Sequence, residues 1–183
     1  MPRPAKSPGP QPANPERLIV DGAVVDNQWR LLQLEEELST AEPVPPGKVI
    51  LPYSRWKAER GNLEHRKGEL GVWLDSSESA SLVAADAGEL PLIAVHFPLA
   101  GDGRGFTTGR LLRERYGFAG ELRAIGAFMR DQLTFLRRCG YNAFAFEGEE
   151  SLAQILQSLE DFSESYQAAV DQPLPLFRRR GLR

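Results

Sequence analysis

From residue 48 onward, short apolar runs rich in β-branched and aromatic residues alternate with stretches of helical spacing. These runs predict five strands, at residues 49–51, 70–74, 92–97, 122–126 and 143–146. A helix candidate follows each run, and such repeats form parallel sheets because parallel neighbours need a long crossover. The chain is therefore predicted to be an α/β protein of about five β-α units with a mostly parallel sheet. The pattern leaves open whether this sheet is open and flavodoxin-like or curls like part of a barrel.

The predicted helices begin at residues that can cap a helix and end before glycines. One is capped by Ser76 or Ser77, one by Thr107 or Thr108, one covers residues 128–139, and an amphipathic helix covers residues 152–162. The stretch at residues 29–38 fits neither the helical nor the strand period, so it is left unassigned.

Both ends of the chain differ in composition from its middle. Residues 1–16 contain six prolines in the first fifteen positions and almost no large apolar side chain, which predicts a disordered tail. Asp21-Gly22 then fits a two-residue turn that would join strands at 18–20 and 23–25 into a hairpin. Residues 17–172 are predicted to form a single domain, and the basic residues 173–183 an extended tail.

Composition excludes several classes of protein. A chain of 183 residues with 42% hydrophobic and 26% charged residues has enough apolar side chains for one core. No apolar run is long enough to span a bilayer and no secretory leader is visible, so we expect a cytoplasmic protein without a membrane. A net charge of −3 gives no reason to expect nucleic acid as a partner. The one cysteine, Cys139, cannot form an internal disulfide and is expected to be a buried thiol.

The loop after the third predicted strand has the pattern of an anion site. Ligands of such folds bind beyond the carboxyl ends of the strands. Glycines there let backbone amides approach a ligand, while a helix N-terminus and arginines attract negative charge. The candidate ligand-binding residues of this loop are Gly103, Arg104, Gly105, Thr107, Thr108 and Arg110. A purely structural turn explains the glycines almost as well, since their spacing matches no nucleotide-binding motif.

Further candidates lie on the next strand and helix. Arg123 is set in an apolar strand, where an unpaired charge is costly, so it is expected to face a carboxylate or a ligand. Arg130 would complete the cluster, with Asp102 and Asp131 as candidate acid–base groups. An ordinary salt bridge is the alternative for Asp131, and a packed side chain is the alternative for His96, which ends the third strand. No metal site is predicted, and the sequence does not identify a cofactor.

Residues 91–147 resemble a bacterial family called domain of unknown function 934. The matching elements are Phe97-Pro98, Asp102-Gly103-Arg104-Gly105-Phe106, Arg110-Leu111-Leu112-Arg113-Glu114-Arg115-Tyr116-Gly117, Gly120-Glu121-Leu122-Arg123-Ala124, Arg130-Asp131-Gln132-Leu133 and Arg138-Cys139-Gly140. Ala127 departs from the pattern, because related sequences tend to carry an acid there. The resemblance implies an oxidoreductase or accessory role in assimilatory sulfite reduction, the route to cysteine, and assigns no catalytic residues.

Three hypotheses follow for the function. The first is an accessory protein that docks on sulfite reductase or another enzyme of sulfate assimilation. It cannot be the catalytic subunit, since one cysteine cannot ligate an iron–sulfur cluster. The second is a small enzyme or binding domain for an anionic sulfur metabolite or phosphorylated cofactor. The third is a structural or regulatory domain whose arginines form internal salt bridges.

Overall fold

The computed structural model describes residues 12–33, 43–147, 151–160 and 164–181. Eight strands form one curled, half-barrel sheet in the order β2-β1-β8-β7-β6-β5-β4-β3. The strands are β1 Arg17–Val20, β2 Ala23–Asp26, β3 Arg30–Leu31, β4 Val49–Pro52, β5 Leu70–Leu74, β6 Leu92–Phe97, β7 Glu121–Gly126 and β8 Ala143–Phe146.

Five α-helices are described, and all of them are short. They are α1 Tyr53–Glu59, α2 Arg104–Glu114, α3 Leu133–Arg138, α4 Leu152–Ser158 and α5 Leu176–Arg180. Single turns of 3-10 helix lie at Arg60–Asn62, Glu64–Arg66, Ala80–Val83 and Arg130–Gln132. Among the described residues no helix is long and apolar enough to cross a membrane.

Strands β3 to β8 are parallel and stand side by side in the order of the chain. Each crossover therefore moves one strand along in the same direction, and crossovers of one hand place their helices on one face of the sheet. Side chains of alternate strand positions, such as Val72 and Val95, pack there with Leu112 of α2, Leu136 of α3 and Ile155 of α4. This face holds the main core.

The opposite face of the sheet carries a second apolar cluster, whose strand members include Trp73, Ala94 and Ile125. The segment around β3 covers it: Leu31 belongs to the cluster, and the Trp73 indole N–H donates to the Leu32 carbonyl over 2.9 Å. A buried indole needs such an acceptor because an unpaired N–H costs free energy. Residues around β3 thus cover part of the face that lies opposite the described helices.

The strand predictions agree with the structure. The five predicted strands are confirmed to within one residue, and so is the hairpin. Its turn has positive φ angles at Asp21 (48°) and Gly22 (77°). The hairpin also joins the main sheet, because β1 pairs antiparallel with β8.

The helix predictions agree less well. The connection after β5 contains only the 3-10 turn Ala80–Val83, capped by Ser79, instead of a helix started by Ser76 or Ser77. The count of five β-α units is therefore not confirmed. The extended tail predicted at residues 173–183 is wrong for Leu176–Arg180, which form α5, and Arg179 binds Glu164. Residues 34–38 of the unassigned stretch and most of the predicted N-terminal tail lie outside the described residues.

Candidate functional site

Two polar residues lie next to each other at the carboxyl edge of the sheet. Asp75 directly follows β5, and His96 is the fifth residue of the neighbouring strand β6. The pairing of Leu74 with Val95 brings them side by side. His96 Nδ1 lies 3.6 Å from Asp75 Oδ2, and the histidine is only 4% exposed. A buried imidazole beside a carboxylate at this edge is a candidate acid–base pair.

Asp75 is held as a carboxylate by its neighbours. His96 lowers the pKa of Asp75 most, against the opposing effect of burial, and Ser77 lowers it further. The Ser77 backbone N–H donates to Asp75 Oδ1 over 2.9 Å, and the Ser77 hydroxyl donates to the same oxygen over 2.7 Å. The other oxygen, Oδ2, is left to face the imidazole. Asp75 is therefore ionised at neutral pH and positions the ring of His96.

The ring of His96 is packed closely on two sides. Trp73 meets it edge to face with ring centres 5.8 Å apart. On another side lies Gly126, which ends β7 with a φ of 93°, and a Cβ at this position would lie 2.6 Å from His96 Cδ2. Only glycine combines this φ with so close an approach. The end of β7 thus helps to fix the imidazole.

A second polar group lies in the adjoining loops. Arg104 donates from Nε to Asp102 Oδ1 over 2.8 Å and from Nη2 to the buried Ser76 hydroxyl, also over 2.8 Å. Arg104 accordingly lowers the pKa of Asp102 more than any other neighbour does. Since Ser76 follows Asp75, this group joins the loop after β5 to the start of α2. Asp102 acts as an ion-pair partner here, which differs from the acid–base role predicted for it.

Helix α2 begins four or five residues earlier than predicted. Gly103 is its N-cap, so Thr107 and Thr108 lie inside the helix, and Thr108 donates to the carbonyl of Arg104. Asp102 accepts the backbone N–H of Arg104 over 3.2 Å. The protein's own carboxylate therefore occupies the place where the sequence suggested a bound anion.

Gly105 has a packing role. A Cβ on Gly105 would lie 2.4 Å from the ring of Phe97, so the glycine lets α2 approach β6. Its carbonyl accepts the hydroxyl of the fully buried Tyr141 over 2.7 Å. Close helix–sheet contact explains this glycine without a ligand.

The four arginines of the predicted cluster do not converge. Arg110 pairs with Glu114 on the exposed side of α2, at 2.9 Å. Arg123 is 3% exposed and pairs with Glu121 at 2.7 Å near the amino end of β7, away from the carboxyl edge. The guanidinium of Arg130 donates to the Ser158 hydroxyl. The prediction that these four arginines lie together around one ligand is therefore wrong.

The remaining predicted residues are placed as follows. Asp131 is exposed and forms no ion pair with any residue in the described ranges, so the salt bridge suggested for it is not found there. Cys139 is buried, and burial raises the pKa of its thiol. No group of three or more candidate metal ligands occurs in the part of the chain that the structure describes.

The residues that sequence reasoning missed as site residues are Asp75 and Ser76; for His96 an acid–base role was considered, but a packed side chain was favoured. Asp75 had a usable signal, since it directly follows an apolar strand. Its partner could be identified only from the strand order, which puts β5 beside β6. A histidine near a strand end by itself predicts a packed residue as readily as an acid–base group.

Large apolar side chains are exposed on the loops beside this edge. Leu99, Met129 and Phe135 are 65%, 50% and 54% exposed. The ring of Phe135 lies 4.9 Å from that of Phe106, and Gln132 Nε2 donates to the Ala100 carbonyl over 2.8 Å. The first contact joins α2 to α3, and the second joins the loop after β6 to the 3-10 turn Arg130–Gln132. We call the surface of Leu99, Phe106, Met129 and Phe135 the rim patch.

The Asp102–Arg104 pair predicts a dependence of stability on acid. Because the folded-state pKa of Asp102 is lowered, the pair stabilises the fold above the ordinary carboxyl pKa of about 4 and loses this effect as the pH falls. Asp102→Asn should therefore lower the urea midpoint at about pH 7, and this effect should shrink progressively as the pH is lowered below about 4.

The control for this experiment is Asp131→Asn, which removes an exposed carboxylate without an ion-pair partner in the described ranges and should leave the midpoint unchanged at every pH. An equal loss of stability for Asp102→Asn at both ends of the pH series would contradict the ion-pair role.

Comparison with known proteins identifies one match. A family model described as a bacterial protein of unknown function, DUF934, matches residues 71–177. This range includes the carboxyl edge from Asp75 to Arg104 and all four residues of the rim patch. No curated protein and no solved structure matches the chain.

Proposed function

This chain belongs to the bacterial family DUF934, and from that premise we propose that it is an accessory protein of assimilatory sulfite reduction. It docks on the sulfite-reducing enzyme or on a neighbouring enzyme of the pathway, in the cytoplasm. The pathway comes from the family resemblance of residues 91–147. The single cysteine supports an accessory role, because a subunit that carries an iron–sulfur cluster needs several thiolates.

The rim patch is the observation that carries the docking role. Exposure of large apolar side chains to water costs free energy, and groups of them commonly mark interaction sites. Three of the four patch residues are at least half exposed. The patch also adjoins the carboxyl edge, since the Asp102 backbone N–H donates to the Leu99 carbonyl over 2.9 Å. A partner bound there would sit over the edge that holds Asp75 and His96.

The size of the rim patch supports a transient partner. The exposed parts of its side chains sum to roughly 300–400 Å², within the range of functional patches on monomers. A stable dimer buries about 800 Å² on each partner. A second copy of this chain is therefore a poorer occupant than an enzyme of the pathway that binds and leaves.

The alternative of a domain that clamps an anion with four arginines has less support. Arg104, Arg110 and Arg123 each pair with a carboxylate of their own chain. An incoming anion would have to displace these carboxylates and gain only the difference between two similar interactions.

Growth on sulfate as the only sulfur source tests the pathway. Deletion of the gene should slow this growth. Added cysteine should restore it, because the affected step is the one that makes sulfide for cysteine synthesis. Unchanged growth of the deletion strain on sulfate would refute the proposal.

Complementation of the deletion strain tests the docking surface. The double variant Leu99→Glu/Phe135→Glu places two charges in the rim patch and should fail to restore growth, since burying an unpaired charge is costly. Val25→Glu is the matched control, because Val25 is 37% exposed on the edge strand β2. It should restore growth at equal protein level. Full complementation by the double variant would refute docking at the rim patch. It would not contradict a role in sulfite reduction.

A further inference from the structure

We propose that His96 is a proton acceptor for a small, uncharged, hydrogen-donating ligand that enters at the carboxyl edge. This activity goes beyond docking and would make the chain a ligand-handling protein in its own right. The inference uses the positions of Asp75, His96, Ser76, Asp102 and Arg104 and does not depend on the pathway.

The orientation of His96 assigns different tasks to its two ring nitrogens. Nδ1 faces the carboxylate oxygen Oδ2 of Asp75 at 3.6 Å. A carboxylate can only accept, so the neutral ring carries its proton on Nδ1 and leaves the lone pair on Nε2. No hydrogen bond of Nε2 to a residue of the described ranges is found, and 4% of the histidine is exposed. In the proposed arrangement, the exposed part of the ring is Nε2.

The charges around His96 select the kind of ligand. Asp75 and Asp102 are both ionised, and a third acidic side chain, Glu78, accepts the Asp75 backbone N–H over 2.8 Å. Arg104 is a cation that both aspartates act on. With a neutral imidazole, these four side chains carry more negative than positive charge. An anion is repelled by that surplus, whereas a neutral ligand is not. The arrangement therefore favours uncharged ligands over the anions that the sequence suggested.

In the proposed step, a proton moves from the ligand to Nε2 of His96. A hydroxyl, thiol or amide of the ligand donates to Nε2; the bond between the proton and the ligand heteroatom breaks, and its electron pair stays on the ligand. The new N–H bond makes an imidazolium, which the Asp75 carboxylate stabilises. Gly126 and Trp73 enclose the ring, so only a small group reaches Nε2.

Carbethoxylation by diethyl pyrocarbonate measures whether Nε2 acts as an acceptor. The chain has two histidines, and His65 is exposed, so it serves as an internal reference in the same sample. Peptide mass spectrometry of the native protein should show modification of both. Modification of His65 alone would overturn the proposal, because His96 would then be a sealed core residue.

Asp75→Asn tests the part played by the carboxylate. In this variant, Oδ1 of the asparagine can still accept from Ser77. The amide nitrogen takes the place of Oδ2 and donates to His96 Nδ1, so the ring proton moves to Nε2. We expect the carbethoxylation rate of His96 to fall about 10-fold or more, the rate of His65 to stay unchanged, and the ¹⁵N spectrum to show protonated Nε2. An unchanged rate and tautomer would overturn the inference. Asp75→Ala provides a second test, which should lose the tautomer preference without reversing it.

A matched pair of probes tests the ligand class. Propionamide and propionate have nearly the same shape and differ in charge. Propionamide should slow carbethoxylation of His96 more than propionate does, with no effect of either on His65. Equal protection, or stronger protection by propionate, would overturn the preference for an uncharged ligand. These measurements use purified protein, so their failure is distinguishable from a failure of the growth test.

Discussion

Replacing Arg113 by methionine is expected to destabilise the fold by about 3–5 kcal/mol. Its Nη1 donates to the carbonyls of Phe118 and Gly120 at 2.6 and 2.9 Å, and its Nε donates to that of Gly140 at 2.9 Å. Nη2 donates to Asn142 Oδ1 over 3.0 Å. One guanidinium thus joins the end of α2 to the starts of β7 and β8. Methionine keeps the apolar length and removes the donor from the three carbonyls, whereas Asn142 Oδ1 still accepts the Leu122 backbone N–H over 2.8 Å.

Chemical denaturation with urea measures the loss at Arg113. Arg115→Met is the control on the same helix end, since Arg115 is exposed and contacts only the ring of Tyr116 among its described neighbours; its expected effect is within about 0.5 kcal/mol. Arg113→Lys should recover little, because one ammonium cannot reach four acceptors arranged around a planar fork. A loss below that of Arg115→Met would contradict the joining role.

Gly109→Ala is expected to destabilise the protein by about 2–3 kcal/mol, although alanine is the better helix former by about 1 kcal/mol. Gly109 lies inside α2, and a Cβ there would be 2.3 Å from Cε2 of Tyr141. Tyr141 cannot move aside easily, because it is 1% exposed and its hydroxyl is bound to the Gly105 carbonyl. Overpacking therefore outweighs helix propensity at this position.

Gly61→Ala provides the control of opposite sign. Gly61 lies in a 3-10 turn, and a Cβ added to it would have no neighbouring atom within 4 Å. Alanine should therefore leave stability unchanged or raise it by about 0.4–1 kcal/mol. The two urea midpoints can be compared directly. If Gly109→Ala were as stable as Gly61→Ala, close packing of α2 on Tyr141 would be refuted.

The strands could be predicted from the sequence because their signal is local. Residues of β5, β6 and β8 are buried on both faces, so each reads as a continuous apolar run, as expected for parallel strands. The hairpin turn at Asp21-Gly22 has an equally local signal, since both residues need positive φ angles. Helix starts were harder, because Asp102 stabilises the start of α2 through its side chain and Thr107 has no part in it.

The candidate site could be predicted only in its position. The carboxyl edge was expected from the strand–helix repeats. The pairing of Asp75 with His96 depends on which strands are neighbours. The cluster of arginines was misjudged because three of its four charges find a carboxylate only a few residues away: Asp102, Glu114 and Glu121. Counting charges along the chain does not show that these pairs neutralise each other.

The pairing of β1 with β8 also sets the order of events during synthesis. Asp21 and Asn142 are hydrogen-bonded across 121 residues of chain, at 2.9 Å. At about 5–20 residues per second, the ribosome delivers β8 roughly 6–24 seconds after the hairpin. Until then the backbone groups along the outer side of β1 have no strand to bind. Nascent chains stopped before Ala143 will therefore present an open β-edge to one another, and translation arrest in this interval will favour aggregation.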